Sequence, residues 1–543
     1  MKTHRSLSCC LVLGSCLAVA SCGASNDAQG PFGSSGSAGA GGSPPADGAA
    51  GQDSGAPDSK LDVSQGDAGS AGSQPGDASV EPATDAGSDA TTEPPVCQPV
   101  QAAAPVDPWQ TRVPGAGFGG IVTATTGGHN DVFLQSPAPN PDYIRVGARL
   151  DWGGSVVFFG LSANAFSNTI DANDTGRELQ IALYDPTRAM QGCAWNASCQ
   201  STPTSCPNSI SYLGWDPVQG GDKCGHGSPS TWSQAGDALR LTAHPLQWNP
   251  DWNKPDCSQT PCGASGVPVE VTYIIDFRFV STHVVEVAVE ITSQETIDHP
   301  STGQEFPTLY VANGNKATDL PLLLDASGNQ VSLNTPGNDG FFYDNFSSPG
   351  PWVTWQNATK DYGVALAMDQ GILQWQGWRG NGQTAPYFHN VRPILSFGLK
   401  AGKSVRGISY LVLGSYSTVQ AQIQSVLGSR PPFGSLDTPP AGGSASVAPG
   451  QDLPIAGWVL DTAHLGMVHV EVDNVAVLDI PVNAARADVC EAFPAYDGCP
   501  NVGFAGNLST AGWDACPHLV RVTAKDADNN TSVLGESVVT VVP

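Results

Sequence analysis

Positive charge is scarce in this chain. Its 543 residues hold 23 Lys+Arg against 50 Asp+Glu, a net charge of −27. A surface of that sign repels phosphate backbones, which argues against a nucleic-acid partner. Charge of either sign is thin, at 13% of residues. Helix-rich proteins need Glu, Lys and Arg in bulk, so the composition points away from helices. Past residue 22 no apolar run is long enough to cross a bilayer as a helix. Also missing are a Gly-x-Ser-x-Gly turn, a His-Glu-x-x-His helix and a phosphate-binding Gly-x-x-x-x-Gly-Lys loop. Their absence argues against the commonest serine hydrolases, zinc proteases and nucleotide enzymes.

What the chain has in quantity is glycine (63) and proline (44), the residues of turns and linkers. The first 22 residues carry a basic start (Lys2, His4, Arg5) and a short apolar run, Leu7 to Ala20, ending in Val19-Ala20-Ser21-Cys22. This resembles the bacterial lipobox, whose cysteine becomes the lipidated first residue of the mature chain. The resemblance implies a signal peptide over 1–21 and a lipid on Cys22. Gly23, rather than Asp, follows the cysteine, which in that family implies the outer membrane. Residues 22–96 form an acidic Gly/Ser/Pro/Ala linker, with 11 acids, one lysine and one aromatic after Cys22. Such a segment has no apolar surface to offset its chain entropy and is expected to be disordered. A flexible chain of this length spans roughly 45–50 Å, at about 5–6 Å × √n, enough to hold a payload off a membrane.

The remainder reads as all-β. In Val269 to Thr292, Val269, Val271, Tyr273, Ile275, Phe277 and Phe279 alternate with Glu270, Thr272, Asp276 and Arg278. After Ser281-Thr282, Val285, Val287, Val289 and Ile291 alternate with Glu286 and Glu290. A period of two with a short break predicts a β-hairpin with one buried face. Ser155–Leu161, Val364–Met368 and Ile408–Leu413 read as further strands. One helix is expected, capped by Ser417, with Val419, Ile423, Val426 and Leu427 on one face and Gly428 at its end. Residues 97–428 thus read as one large all-β domain, for which a resemblance given below implies a β-supersandwich, and Ser429-Arg-Pro-Pro-Phe433 as a stiff junction. Residues 431–543, with strands at Val468–Val472, Leu519–Ala524 and Ser537–Val542, have the rhythm of a seven-strand sandwich.

Ten cysteines follow the signal. An even number in an exported chain implies disulfides rather than a metal site. Cys257–Cys262 and Cys490–Cys499 are close enough to staple their own loops, and the 193–224 cluster has room for two more bridges. The pairing of Cys97 and Cys516 is left open.

Polar residues gather in two stretches that strand-building does not require. One is Asn168 to Gln180, with Asp171, Asp174, Arg177 and Gln180. The other is Trp215 to Pro229, with Gln219, Asp222 and His226. Glycine flanks let a backbone approach a ligand, and Asp, Asn, Gln, Arg and His pair with hydroxyls. Trp375 and Trp378 offer apolar faces for sugar C–H groups or fill a core. The mixture suits an uncharged polyol. Asp171-Ala-Asn-Asp174-Thr-Gly176 hints at a Ca²⁺ loop, but Ala182 stands where an EF-hand needs Glu, so no cofactor or metal is assigned.

Two resemblances bear on these domains. Tyr143-Ile-Arg-Val-Gly147 and Trp152-Gly153-Gly154-Ser-Val-Val-Phe158, followed by the Asn/Asp/Gly/Arg block, resemble the opening strands of galactose-mutarotase-like β-supersandwiches. That family uses His and Glu/Asp side chains on one concave sheet face, which brings forward His226, His244, Glu305 and His389. Gly457-Trp-Val-Leu-Asp461, Val470-Glu-Val-Asp473, Arg486-Ala-Asp-Val489 and His518-Leu-Val-Arg-Val522 resemble the immunoglobulin-like accessory modules of bacterial secreted proteins. The resemblances imply a carbohydrate polymer as partner and a membrane reached through the N-terminal lipid. A hydrolase would use Asp174 or Asp222 with Glu305, assisted by His226 or His389, and Arg177, Gln180 and Gln219 to hold hydroxyls. A lyase would use His226 or His389 as base. The alternative is a glycan-binding or adhesion protein without turnover.

Overall fold

The structure, a computed structural model, describes residues 97–137, 143–171, 178–185, 214–216, 228–247, 268–312, 319–333, 344–380 and 388–542. Signal, linker, Asp174, Arg177, Gln219, Asp222, His226, Cys22, Cys257 and Cys262 lie outside these residues, as does most of the calcium-like loop. Their regular secondary structure is nearly all strand, as the composition predicts.

Two large sheets face each other. The first runs, in spatial order, Leu322–Leu324, Trp352–Gln356, Gly363–Met368, Ser404–Leu413, Val284–Ser293, Val271–Ser281, Ala238–Ala243 and Ser230–Ala235. The second runs Asp344–Ser347, Gln374–Arg379, Phe388–Pro393, His299–Ala312, Leu179–Tyr184, Gly214–Asp216 and Leu246–Gln247, with Leu395–Leu399 pairing His299–Ala312 off this path. A four-stranded antiparallel sheet, Gly120 to Leu161, adds to the same core through Val132, Leu134, Val146 and Phe159.

The expected hairpin lies at the centre of the first sheet, with Tyr273 opposite Ile291 and Phe277 opposite Val287. Tyr273, Ile275, Phe277, Phe279, Val285, Val287, Val289 and Ile291 all enter the core between the sheets. Each such side chain contributes about 1.5–3 kcal/mol on burial. The other face departs from expectation, because it is partly covered too. Glu286 is fully buried, bonded bidentately by Arg278 and reached by Arg112. Asp276 is held by Arg240 through two 2.8 Å bonds. Polar alternation therefore marks ion-paired burial at these positions, under the segment that carries Trp109, Arg112 and Val113.

The helix is Tyr416–Leu427. Its N-cap is Ser415, two residues before the expected Ser417, and the Ser415 hydroxyl accepts from the Thr418 N–H. Val419, Ile423 and Val426 are buried as predicted.

From Phe433 onward eight strands pair in the order Phe433–Thr438, Leu453–Leu460, Gly503–Leu508, Val475–Ala484, Met467–Val472, Pro517–Lys525, Thr531–Val541, Ser444–Val447. That is one more than the expected seven. Ser444–Val447, a four-residue piece too short to show a period, runs parallel to Thr531–Val541. The junction is not a free linker. Arg430 is 2% exposed and donates through Nε to both Asp369 oxygens, at 2.9 and 3.1 Å, and through Nη1 to the Thr111 and Pro431 carbonyls. Tyr496 and Tyr410 donate their hydroxyls to the same carboxylate at 2.5 and 3.3 Å. Around this knot Trp109, Phe433, Trp458, Phe493 and Tyr496 stack with ring centroids from 5.4 to 6.2 Å apart. Cys490 and Cys499 are disulfide-bonded, and Cys97 pairs with Cys516 across 419 residues.

Removing one partner of a buried ion pair leaves an uncompensated charge. Arg430→Met should lower unfolding stability by about 3–5 kcal/mol in urea titration. A loss under about 1 kcal/mol would show that the knot is not holding the halves together.

Candidate functional site

The second sheet has a core face and an outer face. Along Leu179–Tyr184, the core takes Leu179, Ile181 and Leu183, so Gln180, Ala182 and Tyr184 point outward by the period of two. Along Phe388–Pro393 the core takes Val391, so Phe388, Asn390 and Arg392 point outward. Along Gln374–Arg379 it takes Trp375, leaving Gln374, Gln376 and Trp378 outward.

The strand His299–Ala312 breaks this alternation where it matters. Glu305 is opposite Ala182 and Thr308 opposite Gln180, so three steps on one strand match two on its neighbour. This irregularity turns Glu305 and Thr308, which regular pleating would place on opposite faces, toward the same outer face.

A chain of hydrogen bonds crosses five strands on that face. Gln376 Nε2 donates to Asn345 Oδ1 at 2.9 Å. Arg392 donates through Nε and Nη2 to Gln376 Oε1, at 2.9 and 2.6 Å, and through Nη1 to Glu305 Oε1. The Tyr184 hydroxyl donates to the same Glu305 Oε1 at 3.1 Å. One carboxylate oxygen therefore collects both donors. The other, Oε2, has no hydrogen-bond partner among the described residues, although the Glu305 side chain is only 7% exposed. Thr308 Oγ1 and Asn390 Oδ1, on the same face and buried, also lack partners there. Beside them Tyr310, Trp378 and Phe388 form a separate aromatic cluster, with Trp378 and Phe388 centroids 4.7 Å apart. The face grades from exposed at Asn345 and Gln374 to buried at Glu305 and Thr308.

Of the residues singled out from sequence, the structure brings together Glu305, Gln180 and Trp378. It moves two others away. Trp375 is wholly buried between the sheets and cannot be a sugar platform. His389 faces the same interior, stacked on Trp355 with centroids 4.6 Å apart, and its Nδ1 accepts from the Gly380 N–H at 3.0 Å. Burial, then the charge of Arg379, push its pKa down to about 3. It is a neutral packing residue, not a base on the outer face. His244 belongs to the first sheet, near Thr272. The strand that continues the first polar stretch pairs with the start of the second, Leu183 opposite Trp215, while 172–177 and 217–227, which hold most of their polar residues, lie outside the described residues.

Sequence reading misses Arg392, Tyr184, Gln376, Asn390 and Thr308. A signal exists: Gln374-x-Gln376 and Asn390-x-Arg392 place polar residues at every second position of apolar strands.

At the start of the Glu305 strand, His299 is buried edge-on to Trp215. Its Nδ1 lies 3.2 Å from Asp185 and its Nε2 2.7 Å from Glu295. Burial alone would lower its pKa; the bonds to Asp185 and Glu295 outweigh it and raise the value to about 9.

No family model and no curated protein matches the chain. Among solved structures it is similar to a candidate aldose 1-epimerase from Escherichia coli K12, at 11% identity over 51% of this chain and 99% of that one, with a TM-score of 0.30. A candidate aldose 1-epimerase from Klebsiella pneumoniae gives 9% identity over 56% and 91%, TM-score 0.30. A heparan sulfate lyase from Pedobacter heparinus gives 9% over 66% and 41%, TM-score 0.24. Likenesses at these scores decide nothing about the chemistry of the site, which rests on its side chains.

A raised histidine pKa stabilises the fold fully below the unfolded value, near 6.5, and loses that contribution as pH rises through about 9. The melting-temperature gap between wild type and His299→Gln should be wide at pH 6 and close by about pH 9.5. A gap independent of pH would refute the charged triad.

Proposed function

We propose that the outer face around Glu305 binds carbohydrate and that Glu305 Oε2 is its proton acceptor. One observation carries this reading: among the described residues a buried carboxylate has one oxygen bonded by Arg392 and Tyr184 and the other without a partner, beside Thr308 Oγ1 and Asn390 Oδ1, which have none there either. A sugar hydroxyl both donates and accepts. It satisfies Glu305 Oε2 and Asn390 Oδ1 as donor and Thr308 as either. Tyr310, Trp378 and Phe388 pack as a buried aromatic cluster beside these groups and hold their strands in place.

Among the described residues the groups bonded to Glu305 are a phenol and a guanidinium, an arrangement that suits a single proton acceptor; Asp174 and Asp222, the partners of a two-carboxyl hydrolysis, lie outside the described residues. Glu305 Oε2 takes a proton from a sugar hydroxyl or an acidic carbon. Arg392 and Tyr184 hold Oε1 in place while this happens, and Gln376 fixes the plane of the guanidinium. The proton taken up by Glu305 Oε2 is the one it returns to the product. Positioned bases of this kind contribute typically about 10²–10⁴-fold to rate.

The N-terminal pattern supports a second part of the reading: an exported, lipid-anchored protein of a bacterial cell envelope, tethered by an acidic linker. The disulfides Cys97–Cys516 and Cys490–Cys499 fit an oxidising compartment. The strands after Phe433 fit an immunoglobulin-like accessory module.

Glu305→Gln keeps the shape and removes the base. Against a panel of polysaccharides and free sugars, the wild type should produce epimerised or cleaved products, and the variant should lose at least about 100-fold in rate while retaining the sugar. No product from wild type with any substrate, with micromolar retention on one, would leave binding alone. Cys22→Ser should release the chain from the membrane fraction and abolish fatty-acid labelling; unchanged labelling would contradict the anchor.

A further inference from the structure

On the opposite side of the sandwich, the outer face of the first sheet carries a second feature. The segment through Trp109 covers only part of the hairpin's polar face. Beside it is a cavity of about 140 Å³, close to the volume that holds a six-membered ring.

Its floor is two adjacent rungs of the hairpin, Ile274 opposite Glu290 and Asp276 opposite Ala288. Its walls are Asp107, Trp109 and Gln110 on one side and Arg240 on the other. The floor is apolar at Ile274 and Ala288, and charge rings it. The cations are already engaged. Arg240 is clamped by both oxygens of Asp276, and Arg406, reaching Glu290 from the next strand, donates to Oε1 at 2.9 Å. Asp107 uses Oδ1 to cap the Trp109 N–H at 3.0 Å. Arg112, over the Trp109 ring at 4.6 Å, is bonded to Glu286, so of the three lining carboxylates Asp107 is the one with no guanidinium bonded to it among the described residues, and its negative charge is the excess. Among the described residues, no donor is bonded to Asp107 Oδ2 or Glu290 Oε2.

We propose that this cavity binds a ring-sized ligand bearing one protonated amine, with the ammonium between Asp107 and Glu290 and the ring over Ile274 and Ala288 against Trp109. An acidic sugar is disfavoured by the excess negative charge. A neutral sugar leaves the carboxylates without a charged partner. The site does not depend on the reading of Glu305, which lies on the other sheet. An amino sugar and a simple cyclic amine share the chemistry and are separated by the choice of probe.

The whole protein is titrated calorimetrically with glucosamine, glucose and cyclohexylamine at mildly acidic pH. Glucosamine should bind and glucose should bind at least about fivefold more weakly, because charge-assisted hydrogen bonds are roughly twice as strong as neutral ones. Cyclohexylamine matching glucosamine would assign a general amine site; glucosamine alone would assign an amino-sugar site. Asp107→Asn keeps the cap and removes the charge, and should weaken amine binding about two- to fivefold. Ile274→Phe fills the floor and should abolish it, with a thermal melt confirming the fold. Glu305→Gln should leave it unchanged. Equal affinity for glucose and glucosamine, no heat from either amine, or indifference to both cavity variants would overturn the proposal.

Discussion

Taking a guanidinium and a carboxylate out of water together costs several kcal/mol per ion unless every remaining donor and acceptor is met. At Arg430 and Asp369, Nε, Nη1 and both carboxylate oxygens are met, by each other, by two backbone carbonyls and by two tyrosine hydroxyls, most of them from distant parts of the chain. Asp369 and Tyr410 come from the sandwich region, Arg430 from the junction and Tyr496 from a loop of the C-terminal region, ahead of the strand Gly503–Leu508. The knot therefore forms only when all of these have folded against one another. The stacked aromatic rings around it keep water out and strengthen the electrostatics. The C-terminal region is thereby fixed to the sandwich rather than hanging from it.

The same physics at Glu305 is left incomplete on one side. Arg392 and Tyr184 bond one oxygen and hold the carboxylate in its buried place, while the other oxygen keeps its capacity to accept. A buried polar atom without a partner is costly in a finished fold. Among the described residues three such atoms share this face, and the function proposed above takes them as groups whose partner arrives from outside. The bulge between Glu305 and Thr308 is the local device that makes this possible, since it turns two side chains to one face that a regular strand would separate.

Much of the fold is legible in the sequence because burial on one face leaves a period of two. The hairpin at Val271–Ser293 shows it in side chains of one kind. Its other face is misread as solvent-facing, because Asp276, Glu286 and Arg278 have the polarity of a surface although ion pairing lets them be covered. The helix is readable, but not which of two nearby serines caps it, since Ser415 and Ser417 differ only in backbone geometry. For the site, Glu305 is accessible to sequence reasoning through its type. Arg392, Tyr184 and Gln376 are not, because what makes them a unit is strand order, which is set by pairing between residues far apart in the chain. His389 and Trp375 look like site residues by type and are core residues by the parity of their positions, a distinction that only the register settles.

Sugar handling on the outer face requires that the free oxygen of Glu305 accept from a hydroxyl. The most direct measurement is a crystal structure of the protein soaked with a neutral oligosaccharide at high concentration. It should show a hydroxyl within hydrogen-bond distance of Glu305 Oε2, with further contacts to Thr308 and Asn390 and the Arg392–Gln376 bonds unchanged. Sugar bound elsewhere, with Glu305 Oε2 closed off by the protein's own side chains, would contradict it.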